Sequence, residues 1–557
     1  MSPGVSPSPL RIGISGSATG AGPLLPMWAA VPAAAASGLM LDGAFPAVGW
    51  WVLAWAGVLA VLASLVGRSA GGALLVGLVF GAVFYLTHLI WVGRFLGPVP
   101  WLALAGLETV LVGLGSVLIA AVYRWSAWLL PHRWCQLVLV PVLVAGGWTL
   151  RELVMGAWPY SGFPWARLAM SQVDGPAAEA ASWVGVTGVS FLMVLVCAAA
   201  LQAVRVGGLS DVRAATTPRA VVPAPTAVLR VAPAAALAAA LVLVPQFPTT
   251  PDGDLTVGWV QGNGPAAYFD DRSAGDVLAA QTAASAAVLG QDMDLLVWPE
   301  GGVDSDPLND ATTASRLDDL VRRAGAPMLV NAATRRGAEV FNTSLLWTAR
   351  GATQLHDKVN PVPFGEYVPD RWLYQRIVPD LVGLIQRDYT PGVLPPLMSV
   401  DGVGLGLAIC FDVIYDDVIW DGARLGAGMY VFQTNNADFR GSDENLQQLA
   451  FARMRAIETG RAVVNVSTVG TSQVIGPDGA VLDAIGVDRA AARVTTVPVR
   501  TGLTPATVLG PWIAGILGAG SLLAIVGLAV SYRWSRRDTT ARDWSRRAAT
   551  VRGEVAR

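Results

Sequence analysis

The sequence predicts two bodies in one chain: a multi-pass α-helical membrane domain of about eight spans and an α/β domain that sits in water. Three observations carry this. Of 557 residues, 53% are hydrophobic and only 14% charged, against about 25% charged in an average soluble domain. The deficit is uneven: residues 23–246 hold few acids, while 250–505 have an ordinary soluble composition. Within that second region, apolar runs rich in β-branched residues alternate with helical patterns, as in a buried sheet flanked by helices.

A bilayer-spanning helix needs about 20 mostly apolar residues. Eight segments qualify: 24–41, 46–66, 71–93, 99–123, 135–155, 182–205, 225–246 and 509–532. The first is the weakest, because Pro26 and Pro32 interrupt it. Residues 24–246 thus form a membrane domain of seven helices, and 509–532 an eighth. Residues 1–23 are rich in Ser, Pro and Gly and read as a disordered tail, not a cleaved signal. Arginine placement sets the orientation. The tail 533–557 carries Arg533, Arg536, Arg537, Arg542, Arg546, Arg547, Arg552 and Arg557, which places it in the cytoplasm. Arg68, Arg124, Arg133, Arg205, Arg213, Arg219 and Arg230 fall in loops on that same side. The opposite loops, 94–98 and 156–181, carry only Arg94 and Arg167. Residues 251–505 are therefore expected on the extracytoplasmic face.

In that domain, strands are expected at 255–261, 294–298, 327–333, 343–348, 403–410 and 429–433, and helices at 275–290, 312–324 and 443–459. The last begins at Ser442-Asp-Glu, an N-cap-like start. From 462 to 499 the pattern is strands and turns, with Pro477-Asp-Gly as a turn signal. The net charge of −2 and the lack of a basic patch with interleaved aromatics give no reason to expect a nucleic-acid partner. No HExxH, CxxC pair or phosphate-cradling Gly loop occurs in the soluble part, so no metal and no cofactor is expected. Tryptophan, at 21 copies, is expected to anchor the membrane half at its interfaces.

The charge chemistry singles out one residue. Lysine and arginine total 38, and Lys358 is the one lysine among them. An ammonium is a compact point charge where guanidinium is a planar fork, so a tight site is expected at Lys358-Val-Asn-Pro-Val-Pro-Phe-Gly-Glu366. Cys410 is alone in a domain expected to face an oxidising compartment and so reads as a reactive thiol. Cys135 and Cys197 lie in or beside spans and read as packing residues. Glu300 ends Leu-Leu-Val-Trp-Pro-Glu, and Cys410 ends Gly-Leu-Gly-Leu-Ala-Ile-Cys. Ligands of open α/β sheets bind at such strand ends. A thiol near pKa 8.5 needs a base or a cation to become a nucleophile; Glu300 is placed as the base and Lys358 as the charge. Of the histidines, His88 and His132 belong to the membrane half, and His356 reads as a loop residue, which argues against a Cys/His pair.

The strings VWPE (297–300), FNTS (341–344), VPFGEYVP (362–369), AICFD (408–412), ARMRAIE (452–458), VIGPDG (474–479) and TGLTP (501–505), with Val260-Gln261-Gly262, make residues 254–505 resemble the nitrilase, or carbon–nitrogen hydrolase, superfamily. With GFPWARLAMSQ at 162–172, nearly all of 24–532 resembles the apolipoprotein N-acyltransferase family. The resemblance implies a nitrilase-like α-β-β-α sandwich and a triad of Glu300 as general base, Lys358 as electrostatic stabiliser and Cys410 as nucleophile. Glu366 would assist the lysine, with Phe411 and Asp412 supporting. It also implies N-acylation of the N-terminal diacylglyceryl-cysteine of bacterial apolipoproteins, with a phospholipid as acyl donor and a cysteine thioester as intermediate. The implied setting is the bacterial plasma membrane, and a monomer is expected. Asp438 stands where the family often has Trp, and Pro361 where Leu is usual.

Two other readings remain open on the residues alone. A membrane-tethered amidase could use the same triad, although one span would suffice to tether it. A transporter with an outer sensor domain would carry ionisable groups in its spans; Glu108 and Arg151-Glu152, with His88, are the candidates, and local pairing near span ends explains them more simply.

Overall fold

A computed structural model of the chain describes residues 22–130, 132–215 and 225–555. The expected tail up to residue 21, Arg219 and Arg557 lie outside the described residues. Each of the eight expected apolar segments contains a helix, but the helix in 46–66 begins only at Val52. Among the described residues, five helices are long and apolar enough to cross a membrane: Ala70–His88, Pro98–Leu129, Arg133–Met155, Ala178–Val206 and Pro505–Arg537. Val52–Leu65 and Val231–Leu243 are apolar but shorter, and Met27–Ala44 has Pro32 inside it. At about 1.5 Å per residue, the 14 residues of Val52–Leu65 rise roughly 21 Å, short of a hydrocarbon core of about 30 Å. The last helix starts at Pro505, passes through a π turn at Ile516–Gly520 and continues to Val555, so the arginine-rich segment extends the eighth helix instead of leaving it.

The second body contains twelve strands. They are β1 (Thr250–Gln261), β2 (Leu295–Val297), β3 (Met328–Arg336), β4 (Glu339–Thr348), β5 (Gly351–Asp357), β6 (Leu397–Val400), β7 (Val403–Ile409), β8 (Ala427–Thr434), β9 (Val463–Ser467), β10 (Ser472–Ile475), β11 (Val481–Ile485) and β12 (Ala491–Thr501). They form two six-stranded sheets, in the orders β12-β1-β2-β3-β4-β5 and β11-β10-β9-β8-β7-β6. β1–β2–β3 are parallel, as are β7–β8–β9. The inner faces meet in an apolar core that includes Val257, Trp259, Val297 and Leu329 from one sheet and Leu405, Leu407, Val431 and Val464 from the other. Leu278, Leu317 and Leu320, on helices Asp276–Ser285 and Ala311–Ala324, cover the outer face of the first sheet and pack with Trp298, which directly follows β2. The outer face of the second sheet packs under Asp416–Arg424 and Glu444–Thr459. The result is an α-β-β-α sandwich. Two of its strands, β5 and β6, and the helix Asp416–Arg424 have no counterpart in the sequence expectation. The Pro477-Asp-Gly turn forms as expected between β10 and β11, closed by Gly476 N–H donating to the Ala480 carbonyl. The helix at 444 lacks the expected side-chain cap: Asp443 caps nothing, and Ser442 Oγ donates back to the Phe439 carbonyl.

The two bodies share one continuous apolar cluster. The loops expected on the extracytoplasmic side are those that meet the sandwich. Arg167 makes a two-pronged ion pair with Asp416 (2.8 and 2.5 Å), and Arg455, fully buried, reaches the same carboxylate at 2.8 Å. Those two guanidiniums outweigh burial and hold Asp416 below its ordinary range. Gly185, at φ +69°, breaks the helix near its start, and the N–H of Val186 donates to Glu458 Oε1 (3.4 Å). Trp91 and Trp165 both donate to Gln447 Oε1 (3.1 and 2.7 Å). These two tryptophans are buried fasteners, whereas Trp28, Trp134 and Trp534 are exposed as interfacial anchors would be. His88 pairs with Asp42 (3.2 Å) and Arg151 with Glu152 (3.6 Å). Glu108 differs from the local-pairing expectation: it is buried, with Oε2 unpartnered.

Candidate active site

Each of the three expected groups follows the carboxyl end of a strand. Glu300 lies three residues beyond β2, Lys358 directly follows β5 and Cys410 directly follows β7. Lys358 therefore belongs to a strand end as much as the other two. Its neighbour His356 is on β5 and not in a loop; it is buried against the Pro395 carbonyl (3.1 Å), and burial pulls it down to about 4. Gly392 is needed beside Lys358. Its N–H donates to the Lys358 carbonyl (2.8 Å), and a Cβ there would sit 2.2 Å from the Asp357 carbonyl oxygen.

Cys410 occupies the left-handed region, with φ +50°, a conformation that costs a side-chain-bearing residue roughly 1–2 kcal/mol. It opens the short 3₁₀ turn Cys410–Ile414. Asp412 holds that turn to the lysine loop, accepting from the N–H groups of Val359 (3.1 Å) and Asn360 (2.8 Å) and from Asn360 Nδ2 (3.1 Å). Burial pushes Asp412 up to about 6 against the pull of Lys358. Phe411 stacks on Phe163 of the apolar helical half (6.0 Å between centroids), so the turn that carries Cys410 rests directly on a loop between its helices.

The Lys358 ammonium is 1% exposed and meets Glu300 Oε1 at 3.3 Å and Glu366 Oε2 at 2.8 Å. Burial alone would lower it; Glu300 and Glu366 outweigh that and hold it well above its ordinary value. Asn342 Nδ2 bridges the two acids, donating to Glu300 Oε1 (2.7 Å) and Glu366 Oε1 (3.1 Å). Asn342 is itself oriented by Asn331 Nδ2 (2.9 Å). Burial raises Glu300 above the usual carboxylate range, with Lys358 opposing and Glu366 adding to the rise. Cys410 is raised well above an ordinary thiol by burial and by the Glu300 charge, with Lys358 opposing. Burial and the neighbouring carboxylate favour the thiol form of Cys410, and Glu300 lies within hydrogen-bonding reach of it.

The structure brings all six expected residues to one place, with different duties. Glu300, Lys358, Cys410 and Glu366 converge by charge, Phe411 by stacking, and Asp412 by tying backbone. Sequence reasoning missed the amides. Gln448 Nε2 donates to Cys410 Sγ (3.4 Å), and Asn436 Nδ2 donates to both Gln448 Oε1 and Glu444 Oε2 at 2.8 Å. Asn342 stood in the FNTS string; nothing in sequence marked Asn436, Glu444 or Gln448. Asp438 accepts from the Tyr268 N–H (2.7 Å), and burial pushes it up to about 6. Among the described residues no cluster of three or more His, Cys, Asp or Glu is placed to hold a metal.

A sandwich with these strand-end groups, seated on apolar helices, is a membrane-associated protein of the carbon–nitrogen hydrolase class. Residues 256–503 match the carbon–nitrogen hydrolase family model, and residues 37–199 match the apolipoprotein N-acyltransferase N-terminal domain. The apolipoprotein N-acyltransferase of Mycolicibacterium smegmatis is 31% identical over 537 residues, spanning 90% of this chain and 84% of that one. That of Ralstonia nicotianae is 29% identical, spanning 91% and 94%. The chain belongs to the apolipoprotein N-acyltransferase family. Among solved structures, a CN-hydrolase superfamily protein of Xanthomonas campestris aligns at TM-score 0.33 and 20% identity, over 48% of this chain and 97% of that one.

Proposed function

We propose that this enzyme N-acylates the N-terminal diacylglyceryl-cysteine of bacterial apolipoproteins in two steps through Cys410. In the first, Glu300 takes the thiol proton as Sγ attacks the acyl ester of a phospholipid. The oxyanion forms beside Lys358, and Glu300 returns the proton to the departing lysophospholipid. A preorganised donor of this kind is worth about 3–4 kcal/mol of barrier. In the second step the α-amine of the acceptor attacks the thioester, an amide forms and the thiol is regenerated. Water must be kept out for aminolysis to win.

The observation that supports this most is the seating of the nucleophile: Cys410 lies between the Glu300–Lys358–Glu366 cluster and an aromatic wall, Phe411 on Phe163, that belongs to the membrane half. A tethered amidase has no need of that wall. Trp372 and Ile377 are exposed apolar residues on the helix Arg371–Ile377, which follows the Glu366 loop. The arginine asymmetry supports a sandwich on the extracytoplasmic face of the plasma membrane, with all eight apolar segments crossing and the short Val52–Leu65 doing so through locally thinned bilayer. The test is mass spectrometry of a model lipoprotein's N-terminus in cells lacking their own enzyme. Expression of this chain should add one N-linked acyl chain. A C410A protein, present in the membrane at equal level, should add none; acylation by that variant would overturn the reading.

A further inference from the structure

The triad leaves one buried acid beside the nucleophile unused. Glu444 is 2% exposed, and a buried carboxylate ordinarily has a cation or several donors. Here, among the described residues, Asn436 Nδ2 is the one donor and no cation pairs with it. Asn436 is fixed: its Oδ1 accepts from Ser467 Oγ (2.5 Å) and Thr434 Oγ1 (3.3 Å), so its amide can only donate toward the helix. Gln448 answers with Oε1 and thereby turns Nε2 onto Cys410 Sγ. Glu444 and Gln448 are one helical turn apart and share a face. The same face thus presents an N–H to the sulfur and, a turn earlier, a carboxyl without a counter-ion.

The groups whose charges bear on Glu444 are Glu300 and Asp438, both acids, and it bears in turn on Cys410. Against these carboxyls and Glu366, the pocket holds the single ammonium of Lys358. Arg272 bears on Asp438 as well, and the acids still outnumber the cations there. Resting on the two-step reading, we propose that Glu444 receives the acceptor's α-amine as its ammonium, next to the Cys410 thioester, and takes the proton that must leave before nitrogen can attack. The balance is simple. The ammonium gives one proton to the Glu444 carboxylate. The free amine forms the C–N bond as the C–S bond breaks. The second N–H proton passes through Glu300 to the departing sulfur, and Glu444 later releases its proton to water. Burial pushes Glu444 up to about 8 in the empty pocket, with Asn436 opposing, close to the ~8 of an α-amine; an ammonium docked against it favours the carboxylate, so the acid ionises as the acceptor arrives and wild-type transfer holds to lower pH than the amine alone would allow.

The two half-reactions separate this role from a structural one. Glu444→Gln keeps an oxygen for Asn436 and removes the base. Full-length protein in detergent is first loaded from labelled phospholipid, then chased with a diacylglyceryl-cysteinyl lipopeptide from pH 6 to 9, or with hydroxylamine, a weakly basic amine that is mostly neutral from pH 7 upward. Loading of Cys410 should stay within about twofold of wild type. Transfer to the lipopeptide should fall about 10²-fold at pH 6–7, the scale of a lost general base, and recover toward pH 9, where the amine is free. Hydroxylamine release should be unchanged, and Glu444→Asp should keep part of the wild-type pH profile. Wild-type transfer across the range overturns the proposal, as does an equal fall in loading or in hydroxylamine release, since those mark a structural acid. Failure of the wild-type protein itself to load would instead sink the two-step reading.

Discussion

Lys358→Arg keeps the charge and should still fail. The ammonium sits 3.3 Å from Glu300 and 2.8 Å from Glu366; at an effective dielectric of about 20 these contacts are worth ~5 and ~6 kcal/mol before desolvation. The balance depends on a point charge that reaches both acids from within a space sealed to 1% exposure. A guanidinium is larger and planar, and it must push apart Glu300, Glu366 and the Asn342 bridge or withdraw from one of them. Losing one partner of a buried pair costs about 3–5 kcal/mol, and losing the oxyanion's charge about 3–4 kcal/mol of barrier. Acyl-enzyme formation should therefore slow by roughly 10²–10³-fold in Lys358→Arg, and at least as much in Lys358→Met. The assay is the single-turnover rate at which label from an acyl-labelled phospholipid appears on Cys410 in purified protein, with thermal melting to show that the variant is folded. A folded Lys358→Arg protein that loads at the wild-type rate would refute the reasoning, because charge alone would then suffice. In Lys358→Met, Glu300 loses the charge that opposes its rise, so residual activity should need higher pH than wild type.

Further outcomes follow from the same contacts. Asn342→Leu leaves Glu300 and Glu366 short of a shared donor and should cost about 1–3 kcal/mol of stability, measured by melting, together with slower loading. Gln448→Leu removes the N–H on Cys410 Sγ and should slow loading about fivefold, near 1 kcal/mol, and chase by hydroxylamine to a similar extent, because the same sulfur is the leaving group there. Asp416→Asn should loosen the clamp of Arg167 and Arg455 by about 3–5 kcal/mol. Asp416 is held below its unfolded value, so its contribution is present above about pH 4 and drains away as pH falls. The wild-type melting temperature should drop between pH 5 and 3 more steeply than that of Asp416→Asn.

The site is legible in sequence where chemistry is rare. One lysine in a chain that otherwise uses arginine, one cysteine in a soluble body and one glutamate after Trp-Pro are each conspicuous, and their flanking strings tie them together. The parallel strands read well because burial on both faces makes them continuous apolar runs. β5 does not, because Gly351–Asp357 at the sheet edge mixes polar and apolar residues. Asp412 looks like a supporting acid in sequence, and only the fold shows it bonding the backbone of Val359 and Asn360. Amides are the hardest. Asn436, Gln447 and Gln448 are ordinary helix and loop residues until folding sets them against Cys410, Trp91 and Trp165, the last pair in a different body of the chain. Their roles come from orientation, which composition does not encode.

The most direct test is peptide-level mass spectrometry of purified protein incubated with phospholipid and no acceptor. One acyl chain should be found in thioester linkage on Cys410, released by the lipopeptide as N-acyl product. An acyl chain on any other residue, or lysophospholipid released with Cys410 left bare, would contradict the account.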